Sequence, residues 1–216
     1  MKGAYVMYNP EKFNNPDSKA AFDLMYRFPF ATVITAQDSE TTISHLPLTP
    51  IHVDGKIVLI GHMAKANPQW KSMCSELVTA VFHGHHTYIT PQWYAENDVP
   101  TWNYSVVHAK GRAEIYENYA ELVNCLKTLT EHTETVWPSG WKFFIPDDLP
   151  PQVLEKSIVG FKITVEKLVF KNKLSQNRSE ADRAGVLNGL QTRTDEQSLG
   201  VLVDMQKLYT KNVPKK

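Results

Sequence analysis

Five short segments of the sequence combine aromatic rings with amide, hydroxyl and cationic side chains. They are residues 44–47, 61–70, 88–94, 100–104 and 173–178. A flat heteroaromatic cofactor with a phosphate tail would need these groups: ring faces, hydrogen-bonding partners and one or two cations. Lys65 stands just before Asn67, the expected start of a helix, where free backbone N–H groups and the helix dipole favour an anion. The alternative is that the aromatic residues belong to the core or to a dimer interface.

Three histidines, His83, His85 and His86, form the densest group of potential metal ligands. In an extended strand the first two point to one face and the third to the other, so at most two could bind one ion. Zinc needs three or four ligands with supporting hydrogen bonds, and no HExxH or CxxC motif supplies the remainder. We therefore interpret the group as polar residues at a strand end and expect no metal site.

Motifs for nucleophilic catalysis and nucleotide binding are absent from the sequence, which has no GxSxG, GxGxxG or GxxxxGK[ST]. The catalytic residues, if there are any, are therefore unknown. The two cysteines, Cys74 and Cys125, form neither a disulfide framework nor a CxxC pair, which indicates a reducing cytoplasm. Cys74 follows Met73 in a predicted helix, so we expect its thiol to be buried and unreactive.

The chain of 216 residues carries 23 basic and 23 acidic side chains and has zero formal net charge. This balance excludes a surface that attracts nucleic acid everywhere, since phosphate contacts need clustered Lys and Arg, but it leaves room for a local basic patch. Hydrophobic residues make up 42% of the chain, which supports a sizeable core. No apolar run approaches the roughly 20 residues that span a bilayer, and the first residues lack a signal peptide's apolar stretch. We expect a cytoplasmic protein without membrane association.

The first third of the sequence predicts a helix followed by a three-strand antiparallel meander. Asn15 and Pro16 are typical of a helix start, and Phe22, Met25 and Tyr26 then share one face. The predicted strands are 30–36, 41–51 and 56–63, with turns at 37–40 and at Asp54-Gly55. Pro47 restricts the second strand to an edge of the sheet or to a bulge.

The rest of the sequence alternates predicted strands with predicted helices. Further strands are expected at 77–84, 86–90, 102–117 and 158–170, and helices after Asn67-Pro68, at 119–135, after Pro150-Pro151 and at 179–190. The lysine-rich tail after the last helix is expected to be loosely held. Six or seven antiparallel strands with inserted helices predict a closed or partly closed β-barrel of the α+β class.

Several long motifs resemble the PaiB family of FMN-binding negative transcriptional regulators. They are SHLPL, GHxAxANPQW, YITPxWY, VPTWNYxVVHAxG, IVGFxI and KLSQNRxxADRAGV, and they occur in this order between about Tyr8 and Gly189. The resemblance implies a split β-barrel similar to pyridoxamine-phosphate oxidases, with FMN bound at the interface of a homodimer. On this basis we expect an FMN-binding split-barrel domain at 1–178 and a C-terminal helical segment with a basic tail at 179–216.

The resemblance also implies which residues contact FMN. Residues on the second and third strands and at the following helix would hold the phosphate, and they are Ser44, His45, Gly61, His62, Lys65 and Asn67. Related barrels often use arginines there, whereas this chain has His and Lys. The KLSQN segment would approach the flavin ring, in one arrangement from the second subunit, and Trp102, Asn103 and Tyr104 would complete the wall. The KLSQN residues concerned are Lys173, Ser175, Gln176 and Asn177.

Three functions are compatible with this resemblance. The first is a flavin-bearing regulator of sporulation and degradative-enzyme genes that acts through its flavin or ligand state. The second is an FMN-dependent oxidoreductase, and the third is a haem-binding relative in which His62, His85 or His108 ligates iron. No helix-turn-helix signature is present, so the expected DNA association is weak or indirect. The best DNA-facing stretch is 162–178, which contains five cations and the single acid Glu166; the alternative is a solvated strand face.

Overall fold

The computed structural model describes residues 7–96 and 98–210. The chain forms two compact units, and each draws on separate parts of the sequence. Among the described residues, unit 1 comprises 7–16, 83–106 and 169–210, and unit 2 comprises 17–82 and 107–168. No helix in the described part of the chain is both long enough and apolar enough to cross a membrane.

In the described part of the chain, seven strands form one sheet, in the order β2-β1-β5-β6-β7-β4-β3. The strands are β1 Phe30–Gln37, β2 Glu40–Pro47, β3 Thr49–Val53, β4 Lys56–Ala64, β5 Leu77–Ile89, β6 Thr101–Tyr116 and β7 Ile158–Lys173. The helices are α1 Ser18–Arg27, α2 Gln69–Met73, α3 Tyr119–Val136, α4 Pro151–Ser157, α5 Glu180–Gln191 and α6 Glu196–Thr210. 3₁₀ turns lie at Glu11–Phe13 and at Pro91–Trp93. The predicted class, an antiparallel α+β fold, is confirmed.

The predicted three-strand meander is wrong, because the segment contains two separate hairpins. β1 pairs with β2, and β3 pairs with β4, at opposite ends of the strand order. The chain changes partner at Leu48, which is fully buried and whose N–H donates to the carbonyl of Pro29 at 2.9 Å. Pro47 ends β2 because proline cannot donate a ladder hydrogen bond. Both tight turns form as predicted, and the one at Asp54 and Gly55 has positive φ at both residues.

The predicted strands 77–84 and 86–90 are one continuous strand, β5, so that prediction is also wrong. Gly84 is buried and does not interrupt the strand. His83 is exposed whereas His85 is buried, so these two side chains differ in environment although strict alternation places them on one face.

The sequence predicted some of the residues that cap the helices and not others. Ser179 caps α5 as predicted, with its hydroxyl accepting from the Asp182 N–H. The first helix begins later than predicted, because Asp17, rather than Asn15, accepts from the Ala20 N–H. Its buried face contains Leu24 and Met25 but not the predicted Phe22 or Tyr26.

The expectation of a loosely held tail is wrong up to residue 210, where α6 is part of the core of unit 1. Val201, Leu202 and Met205 of this helix are buried in a cluster that includes Leu174 of the KLSQN segment. The tail lysines at 211, 215 and 216 lie outside the described residues.

Trp93 fits against two glycines of α5 in unit 1. A Cβ atom on Gly185 would lie 1.9 Å from the Trp93 carbonyl oxygen, and one on Gly189 would lie 2.2 Å from the indole ring. The carboxylate of Asp182 also accepts from the Ala95 N–H at 2.9 Å. These contacts fix the loop after β5 onto α5.

Candidate functional site

Two groups of predicted site residues can be described, one in each unit. In unit 2, the side chains of Ser44 and Asn67 meet directly, with Asn67 Nδ2 donating to Ser44 Oγ at 2.9 Å. Asn67 Oδ1 accepts from the Gln69 N–H at 3.0 Å, so one amide joins β2 to the start of α2. Both side chains are partly exposed and could also reach a ligand.

Gln69 organises this group, although it was not among the residues predicted to contact FMN. Its Nε2 donates to the carbonyl oxygens of Val33 at 3.1 Å and Thr42 at 3.0 Å, and so connects β1 with β2. The side chain is only 1% exposed, and in the described structure its Oε1 has no donor. The position directly after Asn-Pro was the one signal that could have drawn attention to it, since that dipeptide begins the helix.

His62 lies on β4 of the same unit, opposite Gly160. Burial lowers the pKa of its imidazole, so the ring is neutral near pH 7. Within the described residues its Nδ1 is buried and has no hydrogen-bond partner. A buried polar atom without a partner is costly, so this atom needs water or a ligand group.

Gly61 has a packing reason to be glycine. A Cβ atom there would lie 2.5 Å from Leu48 Cδ2 and 2.6 Å from Phe161 Cζ. The Gly61 carbonyl accepts from the Cys125 thiol at 3.2 Å. The predicted role of Gly61 in cofactor binding stays a prediction.

Lys65 and His45 differ in how their side chains are engaged. The Lys65 ammonium is 2.8 Å from the Glu117 carboxylate and donates to the Glu155 carbonyl at 2.8 Å. Its charge is therefore already paired. His45 is exposed, and its Nδ1 lies 3.2 Å from the hydroxyl of Thr32. The imidazole of His45 remains accessible to a ligand.

A groove of about 280 Å³ lies in unit 1 and carries part of the predicted flavin wall. It is lined by His83, Gly84, His86, Trp102, Tyr104 and Ser105. Trp102 is 54% exposed, and its ring centroid is 6.3 Å from that of His86. An exposed tryptophan beside a groove offers a free ring face to a flat ligand.

Lys173 adjoins this wall. Its ammonium donates to the Trp102 carbonyl at 2.7 Å and to the Thr101 hydroxyl. Burial, followed by the charges of Lys171 and Arg178, lowers the pKa of Lys173. A cation in this surrounding favours a nearby anion.

The other residues predicted near the flavin ring form internal contacts in unit 1. Asn103 is fully buried and donates to Ser175 Oγ at 2.9 Å. Ser175 is itself 2% exposed and has a φ of 66°, unusual for a residue with a side chain. Gln176 folds back, with Oε1 accepting from the Leu174 N–H and Nε2 donating to a backbone carbonyl. Asn177 is exposed. The contacts of Asn103, Ser175 and Gln176 shape the turn, and their contact with FMN stays a prediction.

The two cysteines and His85 lie in different surroundings. Cys74 is exposed, so the prediction of a buried thiol there is wrong; α2 ends at Met73, and Cys74 follows it at the surface. Cys125 is buried, which raises the pKa of its thiol to about 11. His85 lies 3.1 Å from the Asp204 carboxylate. In the described ranges, no group of three or more His, Cys, Asp or Glu side chains could hold a metal ion.

The basic stretch 162–178 offers few free charges. Lys162 is 3.0 Å from the Glu114 carboxylate, and Arg178 is paired with Asp98. Lys171 is only 7% exposed. These contacts favour the alternative in which the stretch is not a DNA-facing surface.

Comparison with solved structures defines the class of fold. The flavocytochrome Anf3 from Azotobacter vinelandii superposes with a TM-score of 0.59 at 16% identity, covering 85% of this chain and 80% of that chain. The FAD and haem binding protein from Mycobacterium smegmatis superposes with a TM-score of 0.58 at 11% identity, covering 74% and 73%. The protein has the flavin-binding split-barrel fold, as predicted.

Comparison of sequences defines the family. Residues 7–167 match the family described as "Putative FMN-binding domain". The chain is also 37% identical over 192 residues to the protease synthase and sporulation protein PAI 2 of Bacillus subtilis, covering 86% of this chain and 89% of that protein. The chain belongs to this FMN-binding family, and the predicted PaiB resemblance is confirmed. The predicted cofactor, FMN, is confirmed with it.

The residues of the site fit a phosphorylated flavin. In unit 2, the buried Nδ1 of His62 has no partner in the described structure, and the Ser44–Asn67 pair offers hydroxyl and amide groups. In unit 1, the exposed face of Trp102 suits an aromatic ring. When bound, FMN would supply a redox-active ring and a phosphate; the polar groups within unit 2 suit a phosphate, and the indole face within unit 1 suits a ring.

Proposed function

We propose that Ser44, His62 and Asn67 bind the phosphate end of FMN in unit 2. The observation that carries this proposal is the buried, unpartnered Nδ1 of His62, in a unit that also presents the Ser44–Asn67 pair. Hydrogen bonds to charged groups contribute about 1.5–3 kcal/mol each. Replacement of Ser44 by Ala should therefore weaken FMN about tenfold or more and leave riboflavin, which lacks the phosphate, nearly unaffected.

As a separate proposal within unit 1, Trp102 and Tyr104 contact a flavin ring. The support is the exposure of Trp102 and the groove that both residues line. Replacement of Trp102 by Leu should weaken FMN and riboflavin equally, because both ligands carry the same ring. Loss of FMN alone would contradict the assignment.

The biological role we propose is regulation of gene expression through the flavin or its ligand, without direct reading of DNA. Membership of the PaiB family supports a regulatory role. The pairing of Lys162 with Glu114 and of Arg178 with Asp98 supports an indirect mechanism, since these cations are already neutralised.

Fluorescence anisotropy with promoter fragments and scrambled duplexes tests this mechanism at one physiological salt concentration. We expect weak binding to both, near the nonspecific range of about 10⁻⁴–10⁻⁶ M. A preference for the promoter above about a thousandfold would show direct reading and refute the indirect mechanism.

A second candidate is an FMN-dependent oxidoreductase, favoured by the exposure of Trp102, which would leave a flavin ring bound there accessible to a small substrate. Steady-state oxidation of NADH or NADPH by the FMN-loaded protein separates the two functions, because a pure regulator gives no sustained turnover. The haem-binding alternative is weaker, because His85 is bonded to Asp204. A Soret absorption band on addition of haem would support haem binding instead.

We also propose that the protein is a homodimer in the cytoplasm. Phe30 on β1 and Ile43 on the edge strand β2, both in unit 2, are 65% and 54% exposed, which favours a covered surface. Both cysteines are free, as expected in a reducing compartment. Light scattering should give twice the chain mass of 24.6 kDa at micromolar concentration, and a value near 24.6 kDa would contradict the dimer.

A further inference from the structure

One face of α5 lines another groove in unit 1. Glu180, Arg183, Ala184 and Leu187 follow the i, i+3, i+4, i+7 spacing of a helical stripe, so they share one face of the helix. This stripe and the last turn of α6 line a groove of about 610 Å³. Small-molecule sites have volumes of roughly 300–1,000 Å³. The groove shares no lining residue with the one beside Trp102.

Part of the lining of this groove is apolar. Leu187 of α5 and Leu208 and Tyr209 of α6 are partly buried and pack against the core cluster of unit 1. The Tyr209 hydroxyl donates to the Leu174 carbonyl at 2.7 Å, which fixes the ring. Burial raises the pKa of Tyr209 to about 12, so the phenol is neutral near pH 7. These side chains suit an aliphatic chain, because removing apolar surface from water is favourable.

Arg183 supplies the groove with a cation that has no acidic partner in the described part of the chain. Its Cζ lies 5.1 Å from the centroid of the Tyr209 ring, and its Nη1 donates to the Arg178 carbonyl at 2.8 Å. Among the described residues this is the only hydrogen bond of the guanidinium, and no carboxylate lies within ion-pair distance of it. A guanidinium has five N–H donors, so most of them remain available to a ligand.

The other polar residues of the groove limit the charge of that ligand. Glu180 is an acid and adds no cation, so Arg183 alone can compensate a bound anion. Burial of an unpaired charge is costly, so a phosphate dianion suits this lining less well than a monoanion. Gln176, which was predicted to contact FMN, also lines the groove, but both ends of its amide are bonded to the backbone of Leu174 and Asn172.

We propose that this groove binds a small monocarboxylate with an aliphatic chain. The carboxylate pairs with Arg183, and the chain packs against Leu187 and Leu208. Guanidinium and carboxylate groups are both planar and can form two parallel hydrogen bonds. The site goes beyond the proposed function, because none of the residues that we assign above to the phosphate or to the ring of FMN lines this groove.

Ligand-observed NMR titration with octanoate and its neutral analogue octanamide tests the role of Arg183. The wild-type protein should bind octanoate about tenfold more tightly than octanamide. Arg183→Gln should remove that preference, because glutamine is neutral but can still donate to the Arg178 carbonyl. Lys12→Gln is the matched control: it removes the same charge at an exposed position of unit 1 outside the groove and should keep the preference.

A second pair of variants tests where the aliphatic chain lies. Ala184 is exposed on the face of α5 that lines the groove, so Ala184→Trp places a bulky ring in the groove and not in the core. Octanoate and octanamide should both bind at least about tenfold more weakly, since both carry the same chain. Ala181→Trp, at an exposed position of the same helix outside the groove, should retain both affinities. Thermal unfolding of each variant shows whether it is folded.

Four results would overturn the proposal. They are equal affinity of the wild-type protein for octanoate and octanamide, equal loss of octanoate in Lys12→Gln and Arg183→Gln, equal effects of the two tryptophan variants, and tighter binding of octyl phosphate than of octanoate.

Flavin fluorescence, measured in parallel, separates this proposal from the proposed function. Octanoate should bind equally to FMN-loaded and flavin-free protein, and competition between octanoate and FMN would overturn the proposal, because the groove would then belong to the flavin. Failure of the protein to bind FMN would refute the proposed function, while the octanoate preference is still measured in the flavin-free protein.

Discussion

Replacement of Asn67 by Asp should weaken FMN while leaving the local structure intact. Asn67 Oδ1 caps α2 by accepting from the Gln69 N–H at 3.0 Å, and a carboxylate does the same. The bond of Nδ2 to Ser44 Oγ at 2.9 Å is also replaceable, since the Ser44 hydroxyl can donate to a carboxylate. The fold is kept, and the change is one added negative charge beside the proposed phosphate.

The size of the effect follows from Coulomb's law. Two unit charges placed about 6 Å apart repel by about 3 kcal/mol at an effective dielectric constant of about 20, and closer charges repel more strongly. Asn67 is partly exposed, so solvent reduces this energy. A residual of about 1.4 kcal/mol corresponds to a tenfold weaker FMN complex, and riboflavin, which lacks the phosphate, should bind as before.

Quenching of flavin fluorescence during titration measures both affinities. Asn124→Asp is the matched control, because it adds the same charge at an exposed position of α3 in the same unit and has no proposed contact with FMN. An equal loss of FMN and riboflavin in the Asn67 variant, or an equal loss of FMN in the control, would refute the reasoning.

Two further predictions concern stability. Gly185→Ala should destabilise the protein by several kcal/mol, because its Cβ would lie 1.9 Å from the backbone oxygen of Trp93. Urea unfolding measures the loss beside the control Gly160→Ala, whose Cβ would meet the side chain of Leu122 at 3.3 Å and that of Cys125 at 3.4 Å. Burial lowers the pKa of His132 below its usual 6.5. Below about pH 6.5 the His132 imidazole is therefore protonated more readily in the unfolded chain than in the native state. The free energy of unfolding should fall as the pH drops below about 6.5. His132→Gln should make the free energy of unfolding less dependent on pH in this range. An unchanged slope of that free energy against pH would contradict the prediction.

Local signals in the sequence predicted the local structure well. Asp54-Gly55 and the segment around Asp38 form tight turns because their residues accept positive φ. Ser179 caps α5 because a serine hydroxyl can satisfy a free N–H in the first turn. These features depend on a few neighbouring residues, so a pattern of residue types was sufficient.

Features that depend on contacts between distant parts of the chain could not be predicted from local patterns of residue types. The separation of β2 from β3 depends on which strands pair, and no local pattern encodes that choice. The buried face of α6 is defined by residues such as Leu174 that come from another segment of unit 1. Cys74 looked buried because of its neighbour Met73, but the helix ends between them.

The candidate site was predicted by residue type and family motif more than by geometry. The motifs selected Ser44 and Asn67, which the structure joins by a hydrogen bond. They could not show that the charge of Lys65 is paired with Glu117. Gln69 was missed because its importance lies in bonds to the backbone of two strands, which the sequence does not reveal.

The identity and amount of flavin bound by the purified protein test the central claim most directly. The protein is purified without added cofactor, saturated with FMN and freed of excess by gel filtration, and its absorbance spectrum is recorded before and after denaturation. We predict one FMN per chain, with a flavin spectrum that shifts on release. Absence of bound flavin after saturation, or a preference for FAD over FMN in direct competition, would contradict the account.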